Sequence, residues 1–185
     1  KNQQTAFVAL QVMRNICGIE LSKESIAKGF AEVCTLTGLR GRWEVLSHSP
    51  LTVCYIGHNG HGIRYVAEQL SSLIASSPNS LSPHRLHIIL GMVNDKDIRG
   101  VLRLMPKEAT YYFCQASVAR ALNSTALQEV ARKFDLQGAA YPTVQAATEA
   151  ALAEADAEDF IYVGGSSFVV ADLLTCWAEM KKNRE

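Results

Sequence analysis

The stretch LTVCYIGHNGHGIRYVAEQLSSLI, residues 51–74, decides the fold class of this chain. Residues 51–56 form a short apolar run that is typical of a buried strand. Five apolar residues then follow at the three- or four-residue spacing of an amphipathic helix: Ile63, Val66, Ala67, Leu70 and Ile74. A glycine-rich loop joins the two parts. The stretch therefore predicts a strand, a loop and a helix that belong to an α/β domain.

The same alternation of apolar strand and amphipathic helix extends to both sides of this stretch. Further strands are predicted at residues 43–46, 86–90, 110–114, 139–140 and 160–163. Further helices are predicted at residues 98–105, 127–134, 144–152 and 168–180. This rhythm indicates a Rossmann-like, mostly parallel sheet with helices on both faces. In such sheets ligands bind beyond the carboxyl ends of the strands, so the loops after the strands are the candidate sites.

Residues 1–40 show a different pattern, which is helical throughout. Apolar residues recur in a first helix at Ala6, Leu10, Met13 and Cys17, and in a second helix, capped by Ser22, at Ile26, Phe30 and Val33. A joint rich in glycine and arginine follows at residues 37–42. We therefore expect a helical segment over residues 1–40 and an α/β domain over residues 41–185.

The composition excludes several classes of partner. The 18 Lys and Arg residues balance the 18 Asp and Glu residues among 185, which disfavours a nucleic-acid or anionic-membrane surface. No apolar run approaches the roughly 20 residues that span a bilayer. The five cysteines are odd in number and lack CxxC spacing, so we expect reduced, mostly buried thiols in a cytoplasmic protein.

The loop at residues 57–62 holds three glycines between a strand and a helix. Such a loop lets the backbone approach a ligand, and the helix that follows presents free N–H groups to an anion such as phosphate. It matches neither GxGxxG nor GxxxxGK[ST]. The alternative is a tight turn in which His58 and Asn59 satisfy nearby backbone groups.

Two later loops also follow predicted strands. In residues 91–97, Lys96 stands between two aspartates and either belongs to a solvated turn or pairs with phosphate or carboxylate. In residues 163–167, Ser166 either caps the last helix or binds a carboxylate, and the pattern is not the GxSxG of a serine nucleophile. The histidines spaced three apart lack further ligands, so we expect no metal site from them.

Six short motifs occur in a fixed order along the chain. They are KNQQTAFVA at residues 1–9, GRWEVL at 41–46, GHN at 57–59, DKD at 95–97, SVARAL at 117–122 and GSSF at 165–168. Taken together, they resemble the C-terminal part of folylpolyglutamate synthase / dihydrofolate synthase, a branch of the Mur ligase superfamily. Residues 1–9 look like the last helical region of that family's central ATPase domain.

The resemblance implies an ATP- and Mg²⁺-dependent ligase that adds L-glutamate to folate or dihydropteroate through an acyl phosphate. It implies that Arg42, His58 and Asn59 bind ATP phosphates, and that Lys96 and Ser166 bind the incoming glutamate. The phosphate-binding loop and catalytic carboxylates would lie in an upstream ATPase domain, which these 185 residues do not include. We therefore expect this chain alone to be inactive.

Three positions depart from the family's motifs. Tyr55 stands where the motif has Asp, Gly60 where it has Pro, and Arg40 where Pro precedes Gly41. Tyr55 favours an alternative reading, a stand-alone Rossmann-like module that binds a phosphorylated small molecule or an amino acid without catalysis. The helical segment favours the ligase, because a stand-alone module has little need for it.

Overall fold

The computed structural model describes residues 2–57, 60–75, 85–94 and 97–182. The chain divides into two compact units, Lys1–Arg40 and Gly41–Glu185. We call them the helical unit and the sheet unit.

The helical unit contains α1 (Asn2–Ile16), α2 (Lys23–Ala31) and α3 (Val33–Thr37). Ser22 caps α2 as predicted, because its hydroxyl accepts a hydrogen bond from the Ser25 N–H at 3.0 Å. The single second helix expected from Ile26, Phe30 and Val33 is wrong in its extent. Glu32, with φ −109° and ψ 17°, leaves the helical conformation and separates Val33 into α3.

The helical unit exposes much of its apolar surface. Phe7, Val12, Met13, Ile16 and Leu36 are each at least 40% exposed. A groove of about 630 Å³ runs between α1 and α2, lined mainly by Ala6, Leu10, Leu21, Ile26, Phe30 and Val33. Apolar surface of this extent is typical of a surface that another protein segment covers.

The sheet unit alternates strands and helices. Its strands are β1 (Arg42–His48), β2 (Leu51–Tyr55), β3 (Leu86–Leu90), β4 (Thr110–Phe113), β5 (Gln137–Ala140) and β6 (Phe160–Gly164). Its helices are α4 (Gly60–Ala75), α5 (Ile98–Leu102), α6 (Ser124–Arg132), α7 (Val144–Glu154) and α8 (Ser167–Lys182). No helix in the described ranges is both long and apolar enough to cross a bilayer.

The strands of the described residues form one sheet in the order β1-β2-β6-β3-β4-β5. Only the edge pair β1 and β2 is antiparallel, and the four other pairings are parallel. The α/β prediction with a mostly parallel sheet is therefore confirmed. The departure at the edge arises because a short turn joins β1 to β2, whereas parallel neighbours need a crossover helix.

Two apolar clusters cover the two faces of the sheet. The first contains Leu70 of α4, Leu102 of α5 and Leu127 of α6 with Ile88, Leu90 and Tyr162 of the sheet. The second contains Ala147 of α7 and Leu173 of α8 with Ile89 and Val163. Successive residues of β3 and β6 thus contribute to opposite clusters, as the alternation of side chains along a strand requires.

At the centre of the sheet, the helices that follow neighbouring strands cover opposite faces. β6 lies between β2 and β3, whose following helices α4 and α5 cover the first face. The helix that follows β6, α8, covers the opposite face. In open α/β sheets such a switch point leaves a crevice at the carboxyl ends of the strands, where ligands bind.

The cysteines of the described residues are free thiols, in agreement with the sequence. Cys54 and Cys114 are buried in the sheet unit. Cys17 and Cys34 in the helical unit are exposed, so the expectation of mostly buried thiols is wrong for that unit. The reason is that the helical unit has no buried face of its own on which to place them.

Candidate functional site

Residues from three strands meet at one edge of the sheet, which we call the carboxyl edge (Tyr55, Leu90 and Gly164). Gly164 is paired with Tyr55 on one side and with Leu90 on the other. Because β1 is antiparallel to β2, Arg42 is paired with Tyr55 and lies at the same edge. Residues that the sequence placed in separate motifs are therefore neighbours in the fold.

The loops after β3 and β6 approach each other closely at this edge. The Gly91 N–H donates to the Gly164 carbonyl at 3.3 Å. Gly165 has φ 94°, and a β-carbon there would lie 2.6 Å from the Gly91 carbonyl oxygen and 2.7 Å from a methyl carbon of Leu90. Only glycine fits this position, because both the backbone conformation and the space exclude a side chain.

We expect Gly165→Ala to lower the free energy of unfolding by about 2 kcal/mol or more, as a result of positive φ and collision. Urea denaturation measures the change. Gly138→Ala is the control, because a β-carbon at Gly138 would collide with the Tyr111 backbone in β4, outside the carboxyl edge. Both variants should be destabilised, but amide exchange at Gly91 should rise more in Gly165→Ala. Equal stability of Gly165→Ala and the wild type would contradict the prediction.

Arg42 is exposed at the beginning of β1, beside an irregular stretch of backbone. The pairing register shifts between Arg42 and Glu44, and Trp43 has φ 55° in the left-handed region. The Glu44 carboxylate accepts a hydrogen bond from the Gly41 N–H at 2.7 Å and so fastens the bulge. Bulges of this kind re-aim side chains at sheet edges and are frequent beside functional sites.

Tyr55 occupies the end of β2, where the motif led us to look for an acidic residue. Its half-buried ring packs edge-on against Trp43, with centroids 6.3 Å apart. A β-carbon on Gly57 would collide with the Tyr55 ring, so the ring packs against the backbone of Gly57. Within the described ranges, no group of three or more His, Cys, Asp or Glu residues could hold a metal ion.

Ser166 immediately precedes α8 and is 3% exposed. Its hydroxyl accepts a hydrogen bond from the Phe168 N–H at 3.2 Å, and its carbonyl accepts from the Val170 N–H at 3.3 Å. Ser166 therefore caps the helix, which is one of the two roles that the sequence left open. A hydroxyl that accepts one hydrogen bond can still donate its proton, so the second role is compatible with the first.

The other predicted site residues, His58, Asn59 and Lys96, lie outside the described residues. The described residues flanking them are Gly57 and Gly60 in one loop and Asn94 and Asp97 in the other. The fold thus brings Arg42, Tyr55 and Ser166 to one edge.

Arg120 is a cation near the carboxyl edge that the sequence did not single out. Its guanidinium lies over the Phe168 ring at 4.8 Å from the centroid, in the first turn of α8. Its carbonyl accepts a hydrogen bond from the Asn94 N–H at 3.0 Å. The connection between β4 and α6, which contains Arg120, is also held to α8. Ser117 in this connection donates to Asp172 from both its N–H and its hydroxyl, each at 2.7 Å. The sequence signal that could have pointed to Arg120 is the presence of an arginine in the connection after β4.

Glycine-rich loops, an exposed arginine and the beginnings of two long helices lie at the carboxyl edge. These features define an α/β domain of the class that binds anionic ligands at a switch point. Residues 41–167 match the model of the family described as "Mur ligase, glutamate ligase domain". This chain belongs to that family. The resemblance inferred from the motifs is therefore confirmed.

Three of the matching proteins and structures cover between 86% and 97% of this chain. The dihydrofolate synthase/folylpolyglutamate synthase of Escherichia coli K12 is 30% identical over 173 residues, which are 94% of this chain and 37% of the enzyme. The structure of E. coli FolC with DHPP and ADP has a TM-score of 0.78 and 28% identity, covering 97% of this chain and 39% of that one. A bifunctional folylpolyglutamate synthase/dihydrofolate synthase with Mn, AMPPNP and L-glutamate bound has a TM-score of 0.70 and 26% identity, covering 86% of this chain and 36% of that one.

Proposed function

We propose that this chain is the C-terminal part of an ATP-dependent ligase that adds L-glutamate to folate, to dihydropteroate, or to both. The observation that carries the proposal is the carboxyl edge, where Arg42, Tyr55 and Ser166 meet in a fold shared with FolC. The chain spans less than two fifths of the E. coli enzyme. The activity therefore belongs to a longer protein in which this domain supplies one side of the site.

The chemistry requires charge stabilisation on both sides of a transferred phosphoryl group. ATP converts the substrate carboxylate into an acyl phosphate, and the amine of glutamate then attacks to form the amide and release phosphate. Arg42, with His58 and Asn59, binds ATP phosphates, a role that suits the fixed donor fork of a guanidinium. Lys96 and the Ser166 hydroxyl bind the carboxylates of glutamate.

Most of the metal ligands belong, in this proposal, to another part of the protein. A structure of a relative contains Mn, and we propose Mg²⁺ as the physiological ion. The described residues offer no cluster of metal-binding side chains, and Tyr55 brings no carboxylate to the edge. We therefore propose that the ion is bound mainly by an upstream ATPase domain.

The helical unit is the end of that ATPase domain, with the boundary at residues 40–41. Its groove of about 630 Å³ and its exposed Phe7 and Met13 support this proposal, because the upstream domain would cover them. The free thiols support a location in the reducing cytoplasm. Nucleic acid and membrane lipid are not proposed as partners, since positive and negative charges balance.

The second candidate is a binding module without catalysis, and Tyr55 is the observation that favours it. The test uses the full-length protein with ATP, Mg²⁺, L-glutamate and dihydropteroate, and measures ADP and dihydrofolate. Turnover is expected. Binding of ATP without any ADP release, with either dihydropteroate or a reduced folate, would instead support the module.

We expect Arg42→Ala in the full-length protein to raise the KM for ATP about tenfold or more, because a charge-assisted hydrogen bond to phosphate is lost. Arg132→Ala is the control. Arg132 is also exposed but ends α6, away from the carboxyl edge. Similar kinetic constants for the two variants would contradict the role of Arg42.

A further inference from the structure

Tyr162 is a buried tyrosine at the centre of the sheet whose hydroxyl is not satisfied. The residue lies in β6 and is 0% exposed. In the part of the chain that the structure describes, its hydroxyl oxygen has no hydrogen-bond partner. A buried hydroxyl without a partner costs free energy, and phenylalanine would fill the same space without that cost. Core packing alone therefore does not explain a tyrosine at this position.

The hydroxyl points along β6 towards the carboxyl edge. A β-carbon on Gly164 would fall on the Tyr162 hydroxyl oxygen, so the absence of a side chain at Gly164 makes room for it. Tyr55 is paired with Gly164 across the strands and is the neighbouring aromatic ring on that face. Trp43 packs against both rings, with centroids 6.3 Å from each. Tyr162 thus belongs to an aromatic cluster with Trp43 and Tyr55 near the end of the strand.

The surroundings of this hydroxyl suit a negatively charged ligand atom. Burial, and secondarily the nearby Tyr55, raises the pKa of Tyr162, so the phenol keeps its proton and can donate it. The carboxylate of Glu44 is already bonded to the Gly41 N–H. Helices α4 and α8 both begin at this edge, and the amino ends of helices favour anions.

We propose that the Tyr162 hydroxyl is a ligand-recognition group that donates to an oxyanion, a carboxylate or phosphate oxygen, bound at the carboxyl edge. The hydroxyl is buried in the free protein, and the half-buried Tyr55 ring near it turns aside when the ligand binds. Because the Tyr162 hydroxyl has no partner among the described residues, its hydrogen bond to the ligand is gained on binding. The proposal concerns binding only, so failure of the full-length protein to ligate glutamate would leave it standing.

The test compares Tyr162→Phe with Tyr111→Phe in the present chain. Both tyrosines are fully buried in the same apolar cluster, but the Tyr111 hydroxyl donates to the Pro106 carbonyl. Thermal unfolding without ligand should show Tyr162→Phe stabilised, with a rise in Tm of about 2–4 °C, and Tyr111→Phe destabilised. Titration with inorganic phosphate and, separately, with L-glutamate then measures affinity. Tyr162→Phe should bind one of these probes about tenfold more weakly, and Tyr111→Phe should bind both like the wild type.

The outcomes separate the sources of the oxyanion. A loss of affinity confined to phosphate assigns the hydroxyl to a phosphate oxygen, and a loss confined to L-glutamate assigns it to a carboxylate. Wild-type affinity of Tyr162→Phe for both probes would overturn the proposal, as would failure of the wild-type chain to bind either probe at millimolar concentration. Destabilisation of Tyr162→Phe without ligand would also overturn it, because the hydroxyl would then be paired in the free protein.

Discussion

Asp159→Asn is expected to lower the free energy of unfolding by about 2–3 kcal/mol, because it removes a buried charge on which several hydrogen-bond donors converge. Asp156→Asn should lower it by less than about 1 kcal/mol. The two aspartates make a matched pair, since both form ion pairs with Arg85 at 2.9 Å. They differ in burial, because the side chain of Asp159 is 0% exposed and that of Asp156 is 77% exposed.

The large effect follows from the number of donors that converge on Asp159. Its carboxylate accepts hydrogen bonds from the Arg85 N–H at 2.9 Å, the Arg85 Nε at 3.1 Å and the Asp156 N–H at 2.8 Å. The buried His87 Nε2 lies 3.2 Å away. An asparagine oxygen can accept from some of these groups, but its NH₂ would face the others donor to donor. Buried donors without an acceptor are the main cost.

His87 extends this network across the sheet. Its Nδ1 lies 2.9 Å from the Tyr112 hydroxyl, which in turn donates to Glu154 at 2.8 Å. The network thus ties β3, β4, β6 and α7 together at the amino ends of the strands. It lies at the opposite edge from Gly164, so Asp159→Asn should leave ligand affinity of the folded protein unchanged.

The effect of Asp159 should depend on pH in a defined direction. Burial alone would raise the pKa of its carboxyl, but the hydrogen bonds from Asp156, His87 and Arg85 hold that pKa below the ordinary value. A lowered pKa in the folded state means that the stabilisation is complete above about pH 4 and is lost as the pH falls further. The difference in unfolding free energy between the wild type and Asp159→Asn should therefore shrink below about pH 4.

Urea denaturation at pH 7 and below pH 4 measures these differences. An Asp159→Asn protein that is no less stable than Asp156→Asn at pH 7 would show that the buried carboxylate contributes nothing beyond the exposed one. A difference between wild type and Asp159→Asn that grows in acid would contradict the direction of the pKa shift.

Local structure was predictable from the sequence because local patterns determine it. β3 was predicted at residues 86–90 and is found at Leu86–Leu90, where an uninterrupted apolar run forms a strand buried on both faces. The break at Glu32 was not predictable, since apolar periodicity does not report a residue that leaves the helical conformation. β1 and β2 are antiparallel because a short turn joins them. The apolar pattern of the two strands does not specify their relative direction.

The order of the strands and the buried polar groups could not be predicted. β6 enters between β2 and β3 only after the crossover through α7, and periodicity carries no information about that choice. Asp159 and Arg85 are 74 residues apart and meet only through this pairing. For the same reason Tyr162 looked like an ordinary aromatic residue of a strand. Its significance depends on Tyr55, which becomes its neighbour only in the folded sheet.

The isolated chain is expected to form no dihydrofolate above an enzyme-free blank when given ATP, Mg²⁺, L-glutamate and dihydropteroate. Its sequence lacks the GxxxxGK[ST] loop that cradles phosphates, and its described residues hold no metal-binding cluster. Joining the upstream part of the E. coli enzyme to this chain, at the start of the matched region, should restore turnover. The chimera supplies the missing phosphate-binding and metal-binding groups, while this chain supplies Arg42 and Ser166.

The groove of the helical unit gives this prediction a matched pair of variants. Ile26 lines the groove, and Ile26→Glu in the chimera should abolish turnover because a charge would be buried against the upstream domain. Ile19 is 41% exposed and is not among the residues that line the groove, so Ile19→Glu should retain turnover. Circular dichroism of each variant separates lost docking from lost folding. Turnover by the isolated chain would contradict the proposed division of the site. An inactive chimera beside an active E. coli enzyme would contradict the proposal that this domain, with Tyr55 at its carboxyl edge, supports ligation.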